Sequence, residues 1–189
     1  MRKSQAEAAE TRQQIVKLAA NAFRLNGITA TGIVPLMAQA GLTQGGFYKH
    51  FASKDQLVAE ACTVGVAGLV QQFREDALAG GEQGFASIVG SYLSAGHRAN
   101  REQGCPLAAM GSELVRGDEQ TRAAAFQGFK DLVDVMAQSL GSYEPEQARS
   151  HAIFAMAAMV GALTMARMIP DETTSSAGLE SVQQHLRSI

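Results

Sequence analysis

The stretch from Thr31 to Phe51, TGIVPLMAQAGLTQGGFYKHF, constrains this chain more than any other. Ile33, Leu36, Met37 and Ala40 fall at helical spacing and predict a short first helix. Gly41, within Ala40-Gly41-Leu42, suits a left-handed C-terminal cap. Thr43 offers an oxygen to a free backbone N–H and predicts the start of a second helix, roughly Gln44 to His50. That helix is polar outside, with Phe47 and Phe51 as anchors. Pro35 requires the first helix to begin near Gly32, because proline is tolerated only in a first turn. Helix, glycine turn and helix make a helix-turn-helix, whose second helix enters the DNA major groove.

Thr31, Ile33, Leu36, the Ala40-Gly41-Leu42-Thr43 turn and Gly45 lead into Phe47-Tyr48-x-His50-Phe51-x-Ser53-Lys54-Asp55-x-Leu57. Together they resemble the DNA-binding signature of the TetR family of transcriptional repressors. Met37 departs from it, standing where the family usually has alanine, and so does Pro35. The resemblance implies an all-α, nine-helix chain with a helix-turn-helix domain over residues 1–53. Residues 54–189 would then form a helical bundle for effector binding and dimerisation. It also implies a homodimer on a palindromic operator, released by a small molecule.

Within the motif, Gln44 is the candidate for reading a base, since glutamine pairs bidentately with adenine. Thr43 is placed to cap, to bond phosphate or to meet a thymine methyl. Lys49 shares the helix with Gln44 but not its line. Tyr48, His50 and Lys54 are carried over from the family as phosphate contacts, and Thr31 is counted among the DNA-binding residues through the signature. Tyr48 also reads as a packing aromatic and His50 as a solvated side chain. Gly45 and Gly46 each cost a helix about 1 kcal/mol relative to alanine, which points to a backbone that must approach DNA closely. From the first helix, only Arg2, Lys3 and Arg12 are candidates for the phosphate backbone.

Charge is distributed to match. Residues 1–60 carry a net +3 and the remainder −5, so only the N-terminal part favours phosphates. Two cysteines make no disulfide framework, and no signal region follows Arg2-Lys3. The uncharged run Ala152–Ala166 falls short of the roughly 20 residues that span a bilayer. A cytoplasmic protein without a membrane segment is expected.

Along the chain, Ile15, Leu18, Ala19, Ala22 and Phe23 predict a helix from about Ala8 to Asn26, ended by Gly27. Residues 1–8 are expected to be disordered. Ser53-Lys54-Asp55-Gln56 has the form of a capping box and opens a long helix to about Leu78, a lever joining the two domains. Further helices are expected over about 85–100, 107–116, 119–140, 145–168 and 178–187, with residues 171–176 as a polar loop. The helix ending at Met168 is apolar nearly all round, so a partner subunit is expected to cover it and the last helix, through about 146–168 and 178–187.

The resemblance implies an effector pocket in the bundle. Its candidate lining is Phe85, Tyr92, Met110, Phe126, Phe129, Phe154 and Met159, with His97 as a polar handle; each also reads as plain core. Cys105, between Gly104 and Pro106 at an expected helix N-cap, has two readings. It is either a thiolate favoured by the helix dipole, as in electrophile-sensing relatives, or an inert small capping residue. No phosphate-binding glycine loop, metal-ligand spacing or nucleophile–base pair is present, so neither an enzyme, a cofactor nor a metal is expected. A helical adaptor is the rival to a DNA-binding regulator; it accounts for the bundle but not for the register of the Thr31–Leu57 motif.

Overall fold

The structure, a computed structural model, describes residues 5–189; Arg2 and Lys3, the expected phosphate contacts, lie outside them. The described residues form ten α-helices, one 3-10 turn at Gly81–Gln83 and no strand. In order they are α1 (Gln5–Asn26), α2 (Ile33–Gln39), α3 (Gln44–Phe47), α4 (Lys54–Gly80) and α5 (Gly84–Tyr92). There follow α6 (Ala95–Ala99), α7 (Pro106–Leu114), α8 (Glu119–Gln138), α9 (Pro145–Met168) and α10 (Glu172–Leu186).

Four boundaries differ from expectation, three of them for a visible local reason. The stripe from Phe85 to Asn100 is two helices, because Ser94 is extended and its Oγ accepts from the His97 N–H at 3.1 Å, starting a new helix. Residues 172–176, expected as loop, belong to α10, because the Asp171 carboxylate accepts from the Thr174 N–H at 2.7 Å. The helix expected over Gln44–His50 is α-helical only to Phe47. It then tightens, with Lys49 N–H donating to Gly46 O and His50 N–H to Phe47 O. α1 already begins at Gln5. Gly41 does adopt the left-handed conformation, at φ +71°. Pro35 sits in the first turn of α2.

α1, α2, α3 and the start of α4 enclose Ile15, Phe23, Leu36, Met37, Phe47, Phe51 and Leu57, all buried. Burying each such side chain is worth about 1.5–3 kcal/mol, so α3, too short to be stable alone, is held by its two phenylalanines. Ser53 caps α4 as expected, its Oγ accepting from the Gln56 N–H at 3.1 Å. The Gln56 side chain returns the bond to Ala52 N–H, one residue earlier than a standard capping box. At 27 residues α4 is about 40 Å long and serves both halves of the molecule. Leu57, Val58, Ala61 and Cys62 are buried near its start, and Val66, Val70 and Phe73 further on. α8 lies closest along it: a Cβ on Gly128 would stand 2.8 Å from the Val66 side chain.

α9 packs on α7, α8 and α10. By length and composition alone it is apolar enough to cross a membrane, which the Ala152–Ala166 run did not predict. Its inner face is buried at Ala155, Met156, Met159 and Leu163. Its outer face keeps Phe154, Ala157, Gly161, Met165 and Met168 exposed, at spacings of three and four that form one line.

Candidate nucleic-acid interface and regulatory cavity

Thr43, Gln44, Gly45, Tyr48 and Lys49 share the open surface of the helix-turn-helix. Thr43 occupies the N-cap of α3, but its side chain makes no capping bond and stays available. Tyr48 is 66% exposed while its ring meets Phe47 edge-on at 5.2 Å, so the packing and DNA-facing roles are compatible. A Cβ on Gly45 would meet nothing within 4 Å, so no contact inside this chain demands glycine there. Gly46 differs. A Cβ there would touch Met37 Cε at 3.6 Å, so the atypical Met37, fully buried, packs beneath the second glycine. No Asp or Glu occurs between Glu10 and Asp55, a stretch that spans this whole surface.

Three candidates are turned inward. Thr31 is buried and its hydroxyl donates to the Gly27 carbonyl at 2.7 Å, closing the loop after α1. Lys54 Nζ donates to the Ile28 carbonyl at 2.5 Å and lies over the Phe23 ring, so its charge is held inside. Arg12, expected at the phosphates, instead grips both carboxylate oxygens of Glu60. It also donates through Nε to the His50 carbonyl at 3.2 Å and stacks on Phe51. This clamp ties α1 and α4 to the end of α3, and nothing local in the sequence pairs Arg12 with Glu60. His50 is half-buried, its carbonyl held by that clamp.

Above the helix-turn-helix, three contacts join the end of α1 and the loop after it to the bundle. Glu113 of α7 accepts from the Ile28 and Thr29 N–H groups at 2.9 and 2.8 Å. Burial pushes this carboxyl up, but the bonds from Thr29 and Ile28 outweigh it and hold it below its ordinary range. Arg24 Nε donates to the Glu102 carbonyl at 2.6 Å, and Arg101 donates to the Leu25 carbonyl at 3.2 Å.

Next to this junction lies a cavity of about 550 Å³ between α1, α4, α5 and α6. Of the eight predicted pocket residues only Tyr92 and His97 line it. Phe85, Met110 and Met159 are buried core, and Phe129 packs half-buried against it. Phe126 and Phe154 are 64% and 61% exposed on the outside of the bundle. An aromatic at helical spacing identifies an apolar face but not which neighbour covers it. His97 offers no free nitrogen: its Nδ1 pairs with the Tyr92 carbonyl at 2.7 Å and its Nε2 accepts from the Cys105 N–H at 3.0 Å. That fixes the proton on Nδ1. Burial pulls this imidazole below its ordinary value, and Arg167 adds to the effect against the Tyr92 bond.

Cys105 does occupy the N-cap position of α7, with no side-chain capping bond, and it is fully buried. Burial pushes its thiol up, and the contacts from Tyr92 and the Ala108 and Leu107 N–H groups do not reverse this. An open, thiolate-favouring turn is therefore not what Gly104-Cys105-Pro106 builds. Cys62 is buried too, its thiol pushed up to about 11 chiefly by desolvation. In the native protein at neutral pH, neither cysteine should react with a maleimide within hours. Both should react at once in denaturant. Mass spectrometry showing native labelling at Cys105 would refute the burial argument.

Comparison with known proteins accounts for these features together. Residues 15–73 match the model of bacterial regulatory proteins of the tetR family. Residues 83–185 match the LmrA/YxaF-like C-terminal domain of transcriptional regulators. The chain belongs to the TetR family. It is 29% identical over 192 residues to an uncharacterized HTH-type transcriptional regulator, Rv0196, of Mycobacterium tuberculosis, covering 94% of this chain and 93% of that protein. The HTH-type regulator TtgR of Pseudomonas putida is 40% identical over 58 residues, 31% of this chain and 28% of that protein. Among solved structures, a TetR regulator of Chloroflexus aurantiacus superposes with TM-score 0.78 at 25% identity, over 97% of this chain and 95% of that one. Reduced NemR of E. coli gives TM-score 0.78 at 21% identity, over 95% and 96%, a shared fold. This protein is thus an all-α TetR-family transcriptional regulator with a helix-turn-helix.

Proposed function

We propose that this regulator is a repressor that binds a palindromic operator as a homodimer, in the cytoplasm, and leaves it when a small-molecule effector binds. The observation that supports this most is the acid-free, outward-facing surface of Thr43, Gln44, Gly45, Tyr48 and Lys49. Gln44 reads a base edge, while Tyr48 and Lys49 hold phosphates and set the register. Residues 1–53 serve DNA and residues 54–189 serve dimerisation and the effector, with α4 common to both. Thr31, Lys54 and Arg12 act as buttresses that fix α3 rather than as contacts.

The outer stripe of α9 is the homodimer face, because a free protein seldom leaves a continuous apolar line on one helix in water. In the dimer the two α3 helices are held about one DNA turn apart. The effector favours a bundle state with the wrong separation. Operator affinity then falls by the ratio of effector affinities for the two states and no further. A covalent trigger at Cys105 is disfavoured by its burial.

Fluorescence anisotropy on DNA fragments flanking the protein's own coding region tests this reading. Saturable binding to one fragment, weakened about tenfold or more by Tyr48→Ala at unchanged melting temperature, is expected. Equal, weak binding to all fragments in both proteins would instead favour the helical adaptor.

A further inference from the structure

The cavity has an unusual charge balance. Its wall includes Lys17 and Arg24 from α1 and no Asp or Glu. Arg24 is only 7% exposed, yet among the described residues no carboxylate reaches ion-pair distance of it. Its partners are neutral oxygens, the Glu102 carbonyl and the Asn21 side-chain amide at 2.8 Å, and its Nη1 takes no acceptor among the described residues. Burial pulls the guanidinium pKa down, only partly countered by the more distant Cys105, Glu102 and Cys62. A guanidinium that stays charged while buried and unpaired is costly, and an incoming anion would remove much of that cost. Tyr92, also on the wall, keeps its hydroxyl buried beside Cys105 without a hydrogen-bond partner of ordinary geometry.

The rest of the wall is mixed: Asn21, Gln72, Ser91, Ser94, Asn100 and Gln103 make part of it polar, and an apolar patch completes it. Leu69, Phe73 and Tyr92 supply it, with Phe73 and Tyr92 edge to face at 6.0 Å. Gly68 faces the same space, and a Cβ there would meet nothing within 4 Å. The volume lies in the range that small-molecule sites occupy. Because α1 forms one wall and α4 to α6 the others, an occupant would touch the DNA-binding part and the bundle at once.

We infer that this cavity is the effector site and that its ligand is an amphipathic organic anion, a carboxylate on an aromatic or aliphatic body, with the acid on Arg24 and the body against Leu69 and Phe73. The inference deepens the regulator reading by naming the ligand class, but its binding step is measured without DNA, so either can fail alone. The test is titration calorimetry on the full-length protein with three probes of one shape: 1-naphthoate, neutral 1-naphthamide and cationic 1-naphthylmethylammonium. Naphthoate should bind saturably and about tenfold or more tighter than the amide, and the cation not measurably. Arg24→Gln should reduce naphthoate to the level of the amide. Gly68→Phe fills the cavity without touching the bonds of Arg24, so it keeps the test decisive if Arg24→Gln fails to fold, and it should abolish binding of both. Equal affinity for acid and amide, no naphthoate binding at millimolar concentration, or naphthoate binding unaffected by Gly68→Phe would each overturn the inference.

Discussion

Gly45→Glu should abolish specific operator binding, by about a thousandfold or more, while leaving the melting temperature within a few degrees of wild type. Gly45 lies on the open face of α3, is not in a left-handed conformation, and a side chain there meets nothing of this chain. The folded monomer therefore has no reason to reject a larger residue. Leaving glycine should even relieve the helix of up to about 1 kcal/mol. DNA does have a reason: a carboxylate placed among phosphates faces like-charge repulsion in addition to steric exclusion. Gly45→Ala separates the two effects. It adds one methyl and no charge, so a loss of about tenfold from alanine alone would assign the role of glycine to close backbone approach. Anisotropy and thermal melting on the same preparations distinguish a DNA defect from a folding defect. Retained operator affinity in Gly45→Glu would mean that α3 does not lie in the groove as proposed.

What could be read in the sequence divides along a physical line. Features set by the chain within a few residues of themselves were legible: the left-handed Gly41, the first-turn Pro35, the Ser53 cap and the anchoring of α3 by Phe47 and Phe51. Features set by a partner far along the chain were not. Lys54 and Thr31 fit a DNA-contact signature, yet the Ile28 and Gly27 carbonyls take their polar atoms. Arg12 reads as a surface cation until Glu60 arrives from 48 residues away. The cavity was missed for a related reason. Large apolar residues mark surface that must be covered but not where: Met159 and Phe85 are in the core, while Phe154 is on the outer face. The cavity is marked instead by small residues and an isolated cation. Arg24 continues the buried line of Val16 and Ala20 on α1, and a cation on an apolar stripe is the sequence signal that could have pointed there.

In the proposed mechanism, the junction would connect a cavity on the inner side of α1 to the helix-turn-helix. Glu113 holds the Ile28 and Thr29 N–H groups, Lys54 holds the Ile28 carbonyl, and α2 begins four residues beyond Thr29, at Ile33. Arg24, at the end of α1, is fixed by the same short region that carries Glu102. A ligand that drew Arg24 toward itself would weaken its bond to the Glu102 carbonyl and load the loop that carries α2 and α3. The path is short and made of charge-assisted hydrogen bonds with few alternatives, the kind of element that has discrete arrangements rather than a continuum.

If α9 is the proposed homodimer face, Gly161→Arg should give a monomer of 19.9 kDa by light scattering and, through that, remove high-affinity operator binding. Gly161 is at the centre of the line Phe154, Ala157, Gly161, Met165 and Met168, with open space where a Cβ would stand. In the isolated protomer an arginine there points into water and replaces a helix-weakening glycine, so the protomer itself should be no less stable. In the proposed dimer the same side chain would place two guanidinium groups, related by the two-fold axis, where small residues would let the α9 backbones meet. Two like charges buried without partners cost several kcal/mol, enough to dissociate a dimer of ordinary affinity. Operator binding should then fall steeply, because each protomer would hold a single half-site and the benefit of linking two binding events is lost. Glu75→Arg, on an exposed position of α4 outside the expected interface, is the control for added charge and should leave the dimer intact. A Gly161→Arg protein that remains dimeric and binds its operator normally would remove α9 from the interface.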